Sequence, residues 1–427
     1  MGVTATMAAA YQVEAVCRTP LRIGGTEGDP ERVLRGWDGA AFLQGSSLAG
    51  AFRGWLEAAG DRTMADSLLG SAEQTGRLIL SDGRFDIGAN QYTRPRLRID
   101  PKSATGVDGG KFDVAHMGRG SRLWFSLIWM GGPEERDREL AAVERLLSAL
   151  DAGAIRLGAQ KSNGFGQVSL TVKRRLFDLT EEKDRRAWLA DQWDGEPLEL
   201  NPLTLDSRVR FTVKGRADNL LVKAAPVTGE RDEEQGAYTP NLSEGGQALL
   251  PGSSIKGAVR ARAEYIAKVL GLGDEFTEQY FGRDAGTGDN GLPGLVQFED
   301  APLSSDQKKK VRRIRIDRFT GGVQRAGLFT EEPISTELEL HIAAPEEPAL
   351  CGLLLYALRD LGLGLYNLGS GWAIGRGRVA VEEIQVTAQN NQSAALRFDG
   401  QGGLTQDDPS GLLGGWLAAL EEVRHEH

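Results

Sequence analysis

Two stretches of the chain place paired serines directly ahead of cationic residues at helical spacing. They are "LQGSSLAGAFRGWLE" from Leu43 and "LPGSSIKGAVRARAEYI", which ends at Ile266. Free N–H groups at a helix N-terminus, together with serine hydroxyls and nearby cations, can bind a phosphate. The candidate phosphate-binding residues here are Ser46, Ser47 and Arg53 in the first stretch, and Ser253, Ser254, Lys256 and Arg260 in the second. The alternative is that the serines are only N-caps of their helices.

A glycine-rich segment also occurs twice, as "LGAQKSNGFGQVSL" from Leu157 and "LGSGWAIGRGRVAV" from Leu368. The glycines precede a strand instead of opening a helix, so the segment does not match a dinucleotide-binding fingerprint. A loop whose backbone approaches a polyanion fits better, with Lys161, Arg376 and Arg378 as its cations. A plain glycine hairpin is the structural alternative.

A third pair of segments joins arginines to one carboxylate, in "RLRIDPKSATG" from Arg96 and "RIRIDRFTGG" from Arg313. Arg315 is a further candidate binding residue in this pattern. Asp100 and Asp317 could instead hold an arginine in place, which would make both carboxylates structural.

These three motifs recur in the same order at nearly the same offset, 207, 211 and 217 positions apart. A repeat of this kind indicates two homologous domains. We expect a first domain over residues 8–178, a linker over 179–206 and a second domain over 207–390. A C-terminal appendix over 391–427 contains a short amphipathic helix pattern, "SGLLGGWLAALEEV".

Each half has the order strand, helix, strand, strand, helix, strand. The serine helices are predicted over 46–59 and 253–270, where apolar residues recur at helical spacing. This order predicts an α+β fold of two tandem ferredoxin-like, or RNA-recognition-motif-like, domains with insertions.

Composition and charge limit the function classes. The chain has 427 residues and a net charge of −10, and its two cysteines, Cys17 and Cys351, are far apart. They exclude a cysteine-based zinc cluster and are typical of a reducing cytoplasm. The sequence shows neither a secretory leader nor an apolar run of membrane-spanning length. The basic run "KKKVRRIRIDR" contrasts with acidic stretches elsewhere, a split that favours one basic groove and acidic outer faces.

The motifs together resemble those of the RAMP superfamily, and most closely the backbone subunits of type III CRISPR effector complexes. The second half carries "LPGSSIKGAVR", "RIDRFTGGVQRAGLFTEEPI" and "LGSGWAIGRGRV"; the first carries "LRIGG", "QGSSLAGAFR", "RIDPKSATG" and "LGAQKSNGFGQV". The tandem arrangement is similar to the two-copy backbone proteins of type III-D-like systems. The resemblance covers both domains but not the linker or the appendix.

The resemblance implies a subunit that binds CRISPR RNA and stacks beside other RAMP-type subunits, with a thumb hairpin that displaces bases at intervals. It further implies cleavage of bound target RNA with a divalent metal, Mg²⁺, and an acid in the first long loop. Asp29 matches that acid and would be the catalytic residue and metal ligand, with Asp38 and Glu27 as neighbouring alternatives. In the second half the matching place falls near Tyr238, and Asp232 or Glu233 would have to reach it from upstream.

Two other functions stay open at this point. One is a structural backbone subunit that binds RNA without cutting it. The other is a nuclease that matures CRISPR RNA, which usually needs a histidine or a tuned general base near its loops. Outside the last three residues the chain offers only His116 and His341, so this function is the least favoured.

Overall fold

The protein is described by a computed structural model that covers residues 5–24, 32–100, 105–203, 208–224, 237–284, 290–304, 308–388 and 392–426. By their internal contacts the residues fall into two compact units. The first unit comprises Met1–Thr93, Phe112–Lys161 and Phe165–Leu205, and the second comprises Arg94–Lys111, Ser162–Gly164 and Asp206–His427.

The first repeat forms an antiparallel sheet with helices packed against it. Its strands are β1 Met7–Cys17, β2 Phe42–Leu43, β3 Leu78–Leu80, β4 Gly83–Phe85, β5 Gln91–Ile99, β6 Gly106–Met117, β7 Arg122–Gly131, β8 Val168–Asp178 and β9 Glu196–Leu198. Its helices are α1 Gly45–Ala58, α2 Arg62–Leu69, α3 Pro133–Asp151 and α4 Glu182–Leu189.

The second repeat is built in the same way. Its strands are β10 Arg208–Leu220, β11 Ala237–Thr239, β12 Ser243–Glu244, β13 Gln247–Leu250, β14 Gln297–Phe298, β15 Ala301–Pro302, β16 Val311–Ile316, β17 Val323–Glu331, β18 Ile334–Pro345, β19 Arg378–Thr387, β20 Ser393–Phe398 and β21 Leu404–Asp407. Its helices are α5 Gly252–Val269, α6 Asp274–Phe281, α7 Pro348–Gly362 and α8 Leu412–Glu426.

The strand order is β2-β4-β7-β1-β8-β9 in the first main sheet, where β3 also pairs with β7, and β14-β18-β10-β19-β20-β21 in the second. The central four strands correspond, β7-β1-β8-β9 in the first sheet and β18-β10-β19-β20 in the second. In both, the first long strand lies between the third and fourth core strands, with β1 between β7 and β8 and β10 between β18 and β19. The antiparallel sheets with packed helices confirm the predicted α+β class and the tandem ferredoxin-like plan; in the first repeat α1 to α3 pack on one face of the sheet and α4 packs on the other.

Each repeat has its own apolar core, because alternate residues of the long strands point at the helices. Along β1 the inward residues Ala9, Tyr11, Val13 and Ala15 are buried, and along β10 the residues Val209, Phe211 and Val213 are buried. This period of two holds along β10 and the second half of β1, whereas in the first half of β1 Ala8 and Ala10 are buried on the opposite face as well, in a cluster with α4. In α7 ten of the 15 residues are buried, because α5, α8 and β19 all contact it.

Each repeat also carries a long hairpin outside the main sheet. Strands β5 and β6 pair with each other. Strand β17 pairs with β16 in antiparallel orientation on one side and with β11 in parallel orientation on the other. Among the described residues, no helix is both long enough and apolar enough to cross a membrane.

Candidate nucleic-acid interface

The serine-bearing helices begin one residue earlier than predicted, at Gly45 in α1 and Gly252 in α5. The N-cap residues are Gln44 and Pro251, so the prediction that the serines are N-caps is wrong. Each glycine is required by close packing, since a side chain at Gly252 would collide with the carbonyl oxygen of Phe298. The serines therefore lie at the second and third positions of the first helical turn.

An aspartate outside the three repeated motifs accepts a hydrogen bond from the first backbone amide of each helix. The Gly45 N–H donates to Asp82 Oδ1 at 2.8 Å, and the Gly252 N–H donates to Asp300 Oδ1 at 2.8 Å. A carboxylate there satisfies one exposed N–H and favours the positive end of the helix dipole. The signal was present in the sequence, because an aspartate follows the next short strand in both repeats.

One backbone amide in each first turn remains available to a ligand. The Ser47 and Ser254 amides donate to the carbonyls of Gln44 and Pro251, both at 2.9 Å. Within the described residues, the Ser46 and Ser253 amides have no acceptor. Each of these N–H groups, with the neighbouring serine hydroxyls, can donate to a phosphate oxygen.

Lys256 is the fifth residue of α5 and lies at the start of its second turn, two positions after Ser254. Its half-buried Nζ donates to Ser162 Oγ at 3.1 Å. Desolvation, and then repulsion by Arg260 and Arg96, lowers the pKa of Lys256 to about 8. Arg260 itself forms an ion pair with Glu264 at 2.7 Å. The first repeat has Ala49 where the second has Lys256, so the two turns differ in charge.

Arg53, the candidate cation of α1, is held by internal partners. Its guanidinium donates to Asp66 at 2.8 Å and to Glu57 at 3.4 Å, and it also donates to the carbonyls of Ala65 and Gly70. These bonds connect α1 to α2. An RNA phosphate at Arg53 would have to compete with two carboxylates, so its role in RNA binding stays a prediction.

The glycine-rich segments form matching tight turns. Each contains a short 3₁₀ turn, at Lys161–Asn163 and at Trp372–Ile374. The Leu157 and Leu368 amides donate to the carbonyls of Gly166 and Gly377, both at 2.9 Å. Both glycines have positive φ, and a side chain at Gly377 would collide with the carbonyl of Leu368. The glycines are thus needed by the hairpin itself.

The three candidate cations of these turns lie in different environments. Lys161 is exposed, although partial desolvation lowers its pKa, and Arg378 is exposed on β19. Arg376 is only 4% exposed and donates from Nη1 to Glu331 Oε2 at 2.7 Å. Lys223 binds the other oxygen of Glu331 at 3.1 Å. Arg376 therefore links the glycine turn to Glu331, the last residue of β17. Its Nη2 atom is buried with no partner within the described residues.

The long hairpins expose alternating arginines and apolar side chains. Arg98 lies between exposed Leu97 and Ile99 on β5, and Arg315 lies between exposed Ile314 and Ile316 on β16. Phe319, next to the second hairpin's turn, is 98% exposed. Cations beside unpaired apolar side chains are the combination that binds a nucleic-acid backbone and inserts between bases.

Asp317 has a structural role in that turn. Its Oδ1 accepts hydrogen bonds from the Phe319 and Thr320 amides and from the Thr320 hydroxyl, at 2.8–3.0 Å. The hydrogen bonds from Thr320, followed by that from Phe319, lower the pKa of Asp317. These contacts give Asp317 a structural role, but its partners among the described residues are Phe319 and Thr320 of its own turn and not the arginine that the sequence suggested.

Most of the predicted catalytic acids lie outside the described residues. This applies to Glu27, Asp29, Asp232 and Glu233. Asp38 is described, and it accepts hydrogen bonds from Arg84 at 2.7 Å and from the Ala40 amide at 3.1 Å. In the described parts of the chain, no three His, Cys, Asp or Glu side chains come together as a metal site.

Both internal histidines have structural surroundings. His116 is buried and its ring lies 5.3 Å from that of Phe165, while His341 pairs with Glu339 at 3.1 Å on the outer face of β18. These contacts give no support to histidine-based maturation of RNA.

Comparison with known proteins places the chain in a family. The model of the RAMP superfamily matches residues 14–169 and 231–380, which together make up more than half of the chain. A search of curated proteins found no match. A solved chain from the "Cryo-EM structure of the Type III-B Cmr-beta bound to cognate target RNA" is similar at 14% identity and a TM-score of 0.33. The match covers 40% of this chain and 61% of that chain, and a likeness this low carries no argument about function. The family match falls separately on each repeat and includes all three repeated motifs, so the chain belongs to the RAMP superfamily.

Proposed function

We propose that this protein is a backbone subunit of a type III CRISPR effector complex, which binds CRISPR RNA and acts in the cytoplasm beside other RAMP-type subunits. The observation that carries the proposal is the pair of hairpins, each with arginines between exposed apolar side chains. Family membership and the duplicated serine turns support it. The type III-D-like subtype is part of the proposal.

In this proposal the serine turns bind guide phosphates. The Ser46 and Ser253 amides and the serine hydroxyls donate to phosphate oxygens, and Lys256 adds a positive charge in the second repeat only. Contacts to phosphates position an RNA without reading its sequence. Guide sequence should therefore have little effect on affinity.

The hairpins separate neighbouring bases. Leu97, Ile99, Ile314, Ile316 and Phe319 supply apolar surface for unstacked bases, and Arg98 and Arg315 neutralise the adjacent backbone. Asp317 keeps the second hairpin's turn closed, so that Phe319 is presented in a defined conformation.

Target cleavage is the second part of the proposal, and it assigns the reaction to Asp29 in the first repeat. A divalent metal such as Mg²⁺, when bound, would stabilise the charge that develops on the scissile phosphate. Asp38 is paired with Arg84, and the assignment to Asp29 depends on its place in the motif, since Glu27 and Asp29 lie outside the described residues. The non-catalytic alternative is a subunit with the same RNA contacts in which these acids are not placed for chemistry.

Cross-linking in the assembled complex tests RNA binding. Guide RNA that carries 4-thiouridine should cross-link to the first turns of α1 and α5 and to β5 and β16, as read by mass spectrometry. A complex that contains the guide but cross-links it only through other surfaces of this subunit would contradict the proposal.

The cleavage assignment is tested by Asp29→Ala, with Asp38→Ala as the comparison variant. In the complex, Asp29→Ala should abolish cutting at one position of the target while guide and target binding persist. An unchanged cleavage ladder for Asp29→Ala contradicts the assignment, and loss of the same cut only in Asp38→Ala would move the reaction to Asp38. No cutting by the wild-type complex in Mg²⁺ would favour the structural subunit.

A further inference from the structure

The base of the second hairpin contacts the glycine-rich turn through a buried ion pair. Arg376, in the turn, donates from Nη1 to Glu331 Oε2 at 2.7 Å, and Glu331 is the last residue of β17. Both residues are only 4% exposed. Burial opposes the charge on Glu331, but the hydrogen bonds from Lys223 and Arg376 outweigh it, so the pKa of Glu331 is lowered. The pair is therefore ionised, and we call it the charged anchor.

The first repeat has an aromatic contact in the same place. Phe165 directly precedes Gly166 as Arg376 directly precedes Gly377, and each glycine carbonyl accepts the hydrogen bond that closes its turn. The Phe165 ring lies 5.3 Å from the ring of His116, near the end of β6, and both side chains are buried. We call Phe165 and His116 the aromatic anchor.

His116 corresponds to Glu331 by its place in the fold. Five residues after each comes the residue that lies opposite the first long strand near its end, Ser121 beside β1 and Thr336 beside β10. The same two positions therefore carry an aromatic pair in one repeat and an ion pair in the other.

The stability of the fold does not explain the charged anchor. The first repeat shows that apolar side chains can connect these two positions, and a buried ion pair is seldom more stable than apolar side chains of similar size. Arg376 Nη2, which is buried with no partner within the described residues, adds a further cost. What the ion pair contributes is a defined orientation, because the planar guanidinium bonds a carboxylate in a fixed geometry.

Arg376 is also poorly placed to bind RNA itself. Its side chain is buried, with Nη1 on Glu331 and Nη2 away from solvent. The cations that a polyanion can reach here are Lys223 and Arg313, whose side chains are 51% and 34% exposed and lie 3.1 and 3.8 Å from the Glu331 carboxylate.

We propose that Arg376 is a positioning residue, which fixes the base of the second hairpin against the glycine-rich turn so that Phe319, at the other end of the hairpin, is held where it displaces a base. This inference rests on the proposed function, because it takes the hairpin to separate bases. It replaces the prediction from the sequence that Arg376 binds RNA directly.

Hydrogen exchange in the full chain without RNA tests the charged anchor by itself. Arg376→Phe leaves Glu331 its bond to Lys223, so the chain should fold. The amides that join β16 to β17 next to Glu331 should exchange about tenfold faster or more, because a charge-assisted hydrogen bond is lost. Arg376→Phe combined with Glu331→His copies the aromatic anchor into the second repeat and should restore slow exchange.

Arg359→Phe is the matched control. Arg359 bonds the buried Asp360 at 2.7 Å on α7, and Asp360 keeps Arg262 at 2.7 Å after the change. This variant removes the same kind of bond from the same compact unit without touching the hairpin. It should leave the exchange of the β16 and β17 amides unchanged.

Fluorescence of 2-aminopurine in the target strand of the assembled complex tests the effect on RNA, since this base brightens when it is unstacked. The position that belongs to the second hairpin is the one whose signal Phe319→Ala removes. Arg376→Phe should remove most of that signal and leave guide affinity and its salt dependence unchanged. The double variant should restore the signal, and Arg359→Phe should keep it.

Unchanged exchange or an unchanged 2-aminopurine signal in Arg376→Phe would overturn the proposal, as would equal losses in Arg359→Phe. A slope of log guide affinity against log salt that falls by about 0.7 in Arg376→Phe, with no rescue by the double variant, would make Arg376 a phosphate contact instead. If the wild-type complex has no position whose signal depends on Phe319, the proposed function fails for this hairpin and the positioning role with it. The exchange data would still show whether the charged anchor holds the hairpin.

Discussion

At the scale of single residues, the repeated motifs located the serine helices and the glycine turns, but they did not reveal which residues the side chains there contact. Arg53 and Arg376 read as free cations in the sequence, yet each is bound by carboxylates that lie 13 and 45 positions away. Nothing in the local pattern marks Asp66 or Glu331 as those partners. Lys256, by contrast, keeps a position beside the serine turn that suits an anion.

Lys256 makes guide binding depend on pH. Its pKa of about 8 is below the ~10.4 of an exposed lysine, so the folded chain binds fewer protons than the unfolded chain between those values. This group therefore makes the free energy of unfolding rise with pH above 8. A phosphate favours the charged form, so RNA affinity should fall, by up to about tenfold, between pH 7 and 9. Fluorescence anisotropy at both pH values measures it.

The control for this prediction is Lys256→Arg, which keeps its charge over the whole range. That variant should lose most of the fall in affinity. An equal fall in the variant and the wild type would show that another group is responsible.

At the scale of elements, the sequence predicted the strand and helix order of both repeats, because period-two and helical patterns are strong in the long elements. It placed the helix starts one residue late. A serine after glycine is a good N-cap by composition, but the contact of Gly252 with the Phe298 carbonyl fixes the start, and that contact spans 46 positions.

The glycine turns give a matched pair of variants. Gly377→Ala would meet both an unfavourable φ of +69° and the Leu368 carbonyl, whereas Gly375→Ala has a similar φ of +79° in open space. Gly375→Ala should lower the free energy of unfolding by about 1 kcal/mol. Gly377→Ala should lower it by at least ~2 kcal/mol more, because overpacking adds to the strain. Urea unfolding measures both, and equal losses would contradict the packing explanation.

Arg53 is expected to stabilise the α1 and α2 pair. Arg53→Ala removes hydrogen bonds to Asp66 and to two carbonyls and should lower the free energy of unfolding by about 1–2 kcal/mol. The exposed Arg62→Ala in the same helix pair should change it by less than about 0.5 kcal/mol. If Arg53→Ala leaves stability unchanged but weakens RNA binding, the internal role assigned here is wrong.

At the scale of the whole molecule, the net charge of −10 and the proposed RNA function are compatible only if the cations are segregated. The hairpins show this segregation, with Arg312, Arg315 and Arg318 all exposed around the second one. The duplication itself could be read from the sequence. The binding of Arg94 by Glu244 and Asp300 could not, because these carboxylates lie 150 and 206 positions away from it in the sequence.

The second hairpin should therefore account for a definite share of the salt dependence of RNA binding. Each phosphate contact on single-stranded RNA contributes about 0.7 to the slope of log affinity against log salt, so Arg312→Gln, Arg315→Gln and Arg318→Gln together should reduce the slope by about 2. Anisotropy of a labelled single-stranded RNA at increasing KCl concentrations measures it. Neutralising Lys183, Arg185 and Arg186, which are exposed around α4, changes the net charge equally and should leave the slope nearly unchanged. Equal reductions in both triple variants would mean that total charge, and not the hairpin, sets the affinity.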